Sequence, residues 1–137
     1  MKTVSFPGRF ESLPKVGEFV KKAAKSAGLN DKEVYAVQLA VDEACSNIID
    51  HAYGGEGNGV MLCSVIVNKD GLTVILRDRG RPFNPQVIPD PEVNVPLEWL
   101  KPRGVGVYLM RKMMDEVYYE YSPDGGNVLT MVKHRTS

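Results

Sequence analysis

Apolar positions in "SLPKVGEFVKKAAKSAG" recur at helical steps, with Val16, Phe19, Val20 and Ala23 on one face before Gly28, which predicts a first helix. Asn30 followed by Glu33 reads as a capping box. From there Val34, Val37, Val41, Ala44 and Ile48 mark a second helix that runs to the glycine-rich "GGEGNG". Residues 2–7 read as a short strand that Pro7 and Gly8 interrupt. "VMLCSVIVN", a "KDG" turn and "LTVILRDR", rich in β-branched residues, predict a hairpin. Six of the nine prolines then fall between Pro82 and Pro102, which excludes a long helix or a central strand there and leaves either a misread element or a functional lid. "GVGVYLMRKMMDEV" returns to helical spacing, "VYYEYS" to a strand, "PDGGN" to a turn and "VLTMVKHR" to a last strand.

Helices cluster early and the strands come in hairpins. The expected fold is therefore α/β in the α+β sense, a two-layer sandwich with a mixed, largely antiparallel sheet and helices on one face. A single domain over residues 1–137 fits the length. The GxxxxGK[ST] phosphate loop is absent, so a bound nucleotide would have to be held in another way.

Charge changes this picture little. Seventeen basic residues balance seventeen acidic ones, which gives no support to direct binding of nucleic acid or an anionic membrane. No apolar run is as long as a membrane span, and "MKTVSFPGRFESLP" lacks the apolar stretch of a signal peptide, so a cytoplasmic location is expected. Cys45 and Cys63 have no metal-motif spacing and read as buried thiols.

Three patches carry candidate chemistry. The polar face of "VDEACSNIIDHAYGG" holds Asp42, Glu43, Asn47, Asp50 and His51, and no lysine or arginine occurs between Lys32 and Lys69. Glu43 and Asn47 are one turn apart on one face. An amide oxygen there suits Mg²⁺ completed by phosphate oxygens, and a Glu one turn back suits a base for an attacking nucleophile. From this helix alone, a solvent-facing polar stripe reads equally well.

In "ILRDRGRPFNP", Asp78 stands where a strand gives way to a turn. A carboxylate accepts hydrogen bonds only and can recognise an exocyclic amine such as that of adenine, and Gly80 leaves room for a flat ring. A plain turn, with Asp78 paired to Arg77 or Arg79, is the alternative. In "PRGVGVYLMRKMM", Gly104 and Gly106 precede a helical pattern whose free N–H groups favour an anion, and Lys101 and Arg103 can add contacts to phosphate. A simple helix start explains that stretch too.

In order and spacing these patches resemble the ATPase domain shared by histidine kinases, gyrase-type ATPases and heat-shock chaperones. "DEACSNIIDHAY" resembles that family's N box, "DRGRPFNP" its first glycine box and "RGVGVYLMRKMMDEV" its second. The "HAY" ending, the "PF.P" and the compact length most resemble the anti-sigma-factor branch, the serine-protein kinases of bacterial partner switching. The resemblance implies the histidine-kinase-like ATPase fold, Glu43 as catalytic base and Asn47 as Mg²⁺ ligand. It also implies Asp78 on the adenine amine with Gly80 beside it, Gly104 and Gly106 at the phosphates, and residues 84–103 as an ATP lid carrying Trp99. Arg81-Pro82 departs from the pattern, because the wider family has a second glycine there. His51 reads as a structural residue at the end of the N box.

On this resemblance the chain is expected to bind ATP and Mg²⁺, to phosphorylate a serine on an anti-sigma-factor antagonist, to sequester a sigma factor and to form a homodimer. Two alternatives share the same residues: a catalytically silent ATP-binding regulator of the anti-sigma type, and the stand-alone ATP-binding half of a split sensor histidine kinase.

Overall fold

The structure is a computed structural model that describes residues 1–83 and 110–136. Strand β1 (Lys2–Pro7) leads through a 3₁₀ turn (Phe10–Ser12) into helix α1 (Leu13–Ser26), and helix α2 (Asp31–Asn47) follows. Strands β2 (Val60–Asn68) and β3 (Gly71–Asp78) form the expected hairpin. Residues 110–113 are helical, and β4 (Glu116–Ser122) and β5 (Gly126–His134) complete the described chain.

α2 starts where the capping box puts it. Asn30 Oδ1 accepts from Glu33 N at 2.8 Å and Glu33 Oε1 accepts from Asn30 N at 2.8 Å, so two donors of the helix start are satisfied reciprocally. Glu33 Oε2 also accepts from Thr136 N, which ties the helix start to the chain just after β5. The far end of α2 does not stop as an ordinary α-helix. Ile48–Ala52 form a π-turn, closed by Tyr53 N donating to Ile48 O at 2.9 Å, and Gly54 and Gly55 with φ of 70° and 137° then turn the chain away.

The sheet order is β1-β2-β3-β5-β4, and every pairing is antiparallel. β5 therefore lies between β3 and β4. Alternation along the strands sends Met61, Cys63 and Val65 of β2, Leu72, Val74 and Leu76 of β3, and Leu129 and Met131 of β5 into one buried layer. Val16 and Val20 of α1 and Val37, Val41 and Ile49 of the α2 segment close that layer from above, so the helices share one face of the sheet. Each fully buried aliphatic side chain of this kind contributes about 1.5–3 kcal/mol. This core fixes the end of α2 over the ends of β3 and β5, and the candidate site lies there.

Candidate functional site

Asn47 is the last residue of α2 and is buried, yet its Nδ2 has no hydrogen-bond partner among the described residues. A buried N–H donor left open in this way is rare and marks a place where an acceptor, such as a ligand oxygen, completes the bonding. Glu43, one turn earlier, is half-buried. Its burial raises the carboxyl above the ordinary value of 4.5, and the neighbouring charge of Asp42 adds to the shift.

Asp78 ends β3 directly opposite Asn127 of β5 in the ladder. Gly80 N donates to Asp78 Oδ1 at 2.9 Å and Asn127 Nδ2 donates to the same oxygen at 2.8 Å. Among the described residues Oδ2 accepts nothing. Burial raises this carboxyl above the ordinary 3.8, against the opposing pull of the two donors. Asn127 is fixed in turn: its Nδ2 also donates to Arg81 O at 2.9 Å, and its Oδ1 accepts from the hydroxyl of Tyr119 and from Phe83 N.

Asn47 and Asp78 line one cavity, with Asn127 and Tyr119 as further polar groups and Ile48 and Phe83 among its apolar walls. A carboxylate oxygen without a donor beside apolar walls can accept from an amine such as that of a heterocycle. Gly80 follows Asp78 but does not line the cavity. A Cβ there would stand 2.4 Å from Ala52 O, so among the described residues the close approach that requires glycine is to the end of α2. Glu43 sits one turn from Asn47 but does not line this cavity. Lys101, Arg103, Gly104, Gly106, Trp99 and the lid as a whole lie outside the described residues.

Sequence reasoning missed Asn127, Tyr119 and Tyr53. The signal for Asn127 was its phase: it is two residues before Leu129 and four before Met131, so an amide sits on the core-facing side of a strand. His51 stacks on Phe83 with ring centroids 4.5 Å apart. Cys45 and Cys63 are buried, and burial raises both thiols, Cys63 to about 12, which leaves little thiolate for chemistry. Among the described residues no three His, Cys, Asp or Glu side chains cluster as a metal site, and no helix is long and apolar enough to cross a membrane.

A family model for the histidine kinase-like ATPase domain matches residues 6–133. The serine-protein kinase RsbW of Halalkalibacterium halodurans is 30% identical over 134 residues, spanning 95% of this chain and 80% of the relative. RsbW of Bacillus licheniformis is 32% identical over 117 residues, with 80% of this chain and 70% of the relative covered. Among solved structures, the RsbU and RsbW domains of a Mycobacterium tuberculosis protein superpose with a TM-score of 0.62 at 11% identity, over 98% of this chain and 32% of that one. A blue-light activated histidine kinase domain from Erythrobacter litoralis superposes with 0.53 at 16% identity, over 92% of this chain and 60% of that one. At these identities the structures speak for the fold alone.

Proposed function

The chain belongs to the histidine kinase-like ATPase family, in the branch of the serine-protein kinases RsbW, and from that premise we propose that it transfers phosphate from ATP to a serine of an anti-sigma-factor antagonist and otherwise sequesters a sigma factor. The observation that carries the nucleotide part is the open Oδ2 of Asp78 in a cavity shared with the unsatisfied amide of Asn47. Two donors hold Oδ1, so Oδ2 is the oxygen left for an adenine amine. Gly80 and Asn127 keep the carboxylate aimed.

Asn47 would meet Mg²⁺ through Oδ1, a hard oxygen ligand suited to an ion that keeps waters and takes phosphate oxygens for the rest of its shell, while its Nδ2, open among the described residues, is free to donate to such an oxygen. Bound there, the ion would neutralise charge on the transferring phosphate. Glu43 is placed one turn back, and its raised affinity for a proton makes it a stronger base than an exposed carboxylate. Its role is to accept the proton of the serine hydroxyl as the oxygen attacks the γ-phosphorus and the bond to the β,γ-bridging oxygen breaks, with ADP leaving.

Which partner is held then follows from whether ATP or ADP occupies the site, provided the two nucleotides favour different partner surfaces. The test is incubation with γ-labelled ATP, Mg²⁺ and a recombinant antagonist protein. Acid-stable label on an antagonist serine is the expected result. Acid-labile label would point to a histidine acceptor, and no label with intact ATP binding would leave a silent ATP-binding regulator.

A further inference from the structure

We infer that Tyr53 and Arg81 are positioning residues, which clamp the segment after Asp78 onto the end of α2 and so aim Asp78 at the nucleotide. This rests on the nucleotide reading of the Asp78 cavity. Three bonds form the clamp: Arg79 N donates to the Tyr53 hydroxyl at 2.9 Å, Arg81 N to Ala52 O at 2.9 Å, and Arg81 Nε to His51 O at 2.6 Å. Asp78 itself is followed immediately by the clamped residues. Gly80 N, which donates to Asp78 Oδ1, lies between the two clamped positions.

Tyr53 is held as a rigid post. Its hydroxyl donates to Val60 O at 2.6 Å while accepting from Arg79 N, so it links the start of β2 to the end of β3. Its ring fills a slot beside Gly59, where a Cβ would stand 2.4 Å from the ring carbons Cε1 and Cζ, and Gly8, where a Cβ would stand 3.5 Å from Cδ2. No residue larger than glycine fits at 59 without moving that ring.

Arg81 answers a need of the helix. The last turn of α2 has no basic residue, and the π-turn beyond it directs the carbonyls of His51 and Ala52 to partners outside the helix. A guanidinium there supplies a charge-assisted bond at the negative end of the helix dipole. Arg81, in the Arg81-Pro82 stretch that departs from the wider family's pattern, thus joins the helix carrying Glu43 and Asn47 to the strand end carrying Asp78.

The test compares ATP with inosine triphosphate, which has a carbonyl where adenine has its amine, by calorimetry on the parent, Tyr53→Phe, Arg81→Met and Arg81→Lys. Amide exchange at Arg79 and Arg81 is followed in the nucleotide-free protein. Tyr53→Phe and Arg81→Met are expected to speed that exchange and to shrink the preference for ATP about tenfold, the equivalent of one hydrogen bond's worth of aim. Arg81→Lys recovers part of the preference by restoring a cation at His51 O. A merely structural role would weaken both nucleotides equally, and an unchanged ATP preference in both variants overturns the inference while the nucleotide reading stands. A parent that binds neither nucleotide overturns the nucleotide reading and this role with it.

Discussion

Asn127 Nδ2 stands 2.8 Å from Asp78 Oδ1, and the two residues face each other in the register of β3 and β5. Together with Gly80 N, that donor holds Oδ1 and leaves Oδ2 without one among the described residues. Replacing Asn127 with Ala removes that donor and the bond to Arg81 O together. We expect a loss of about 1–3 kcal/mol in urea unfolding and weaker ATP binding. A variant with parental stability and parental affinity would show that Asn127 does not orient Asp78.

Asp78 also sets a pH dependence. Its native carboxyl binds a proton more tightly than in the unfolded chain, so between the ordinary 3.8 and the raised native value the native state carries more protons. Stability attributable to this group therefore falls as pH rises through that window, and the buried charge is a cost above it. Melting temperatures of the parent and Asp78→Asn are expected to differ most in favour of Asn at neutral pH and to converge on acidification. A difference independent of pH would contradict the burial of a charged Asp78.

How much of this was legible in the sequence depends on whether the cause was local. The capping box at Asn30 and Glu33 and the apolar spacing of α2 are local, and α2 lies where they place it. The β2–β3 hairpin is local too. The position of β5 between β3 and β4 is not, since strand order depends on which edge β4 takes, and so the partner of Asp78 was hidden although Asp78 itself stood out at a strand end. Arg81 stood out only as part of the Arg81-Pro82 departure from the wider family's second glycine. Its use became visible once the π-turn left carbonyls at His51 and Ala52 that needed donors from outside the helix.

Glu43 is expected to separate binding from transfer. Glu43→Gln keeps the size and polarity of the side chain but removes the base, so phosphotransfer should fall about 10²–10⁴-fold with ATP affinity within a small factor of the parent. Because Asp42 contributes to the raised proton affinity of Glu43, Asp42→Asn should move the acidic limb of the pH–rate profile to lower pH. Single-turnover rates across pH read both. A transfer rate unaffected by Glu43→Gln would remove Glu43 as the base.

Two glycines distinguish packing from backbone freedom. A Cβ at Gly80 would stand 2.4 Å from Ala52 O, whereas one at Gly54, with φ of 70°, would meet nothing within 4 Å. Gly80→Ala is expected to cost about 1–3 kcal/mol and to weaken ATP binding by pushing the clamped segment off α2. Gly54→Ala should cost only about 1–2 kcal/mol for its left-handed backbone and leave affinity alone. Thermal melts and calorimetry on the two variants check both halves, and equal losses of affinity would contradict the distinction.

The most direct measurement is titration calorimetry of ATP, with and without Mg²⁺, on the parent, Asp78→Asn and Asn47→Ala. With Oδ1 held by two donors, an Asn at 78 would present its NH₂ to the adenine amine, donor against donor. The account predicts ATP binding in the parent that Mg²⁺ strengthens, loss of binding in Asp78→Asn, and loss of the Mg²⁺ effect in Asn47→Ala. No ATP binding by the parent, or binding untouched by both substitutions, would contradict it.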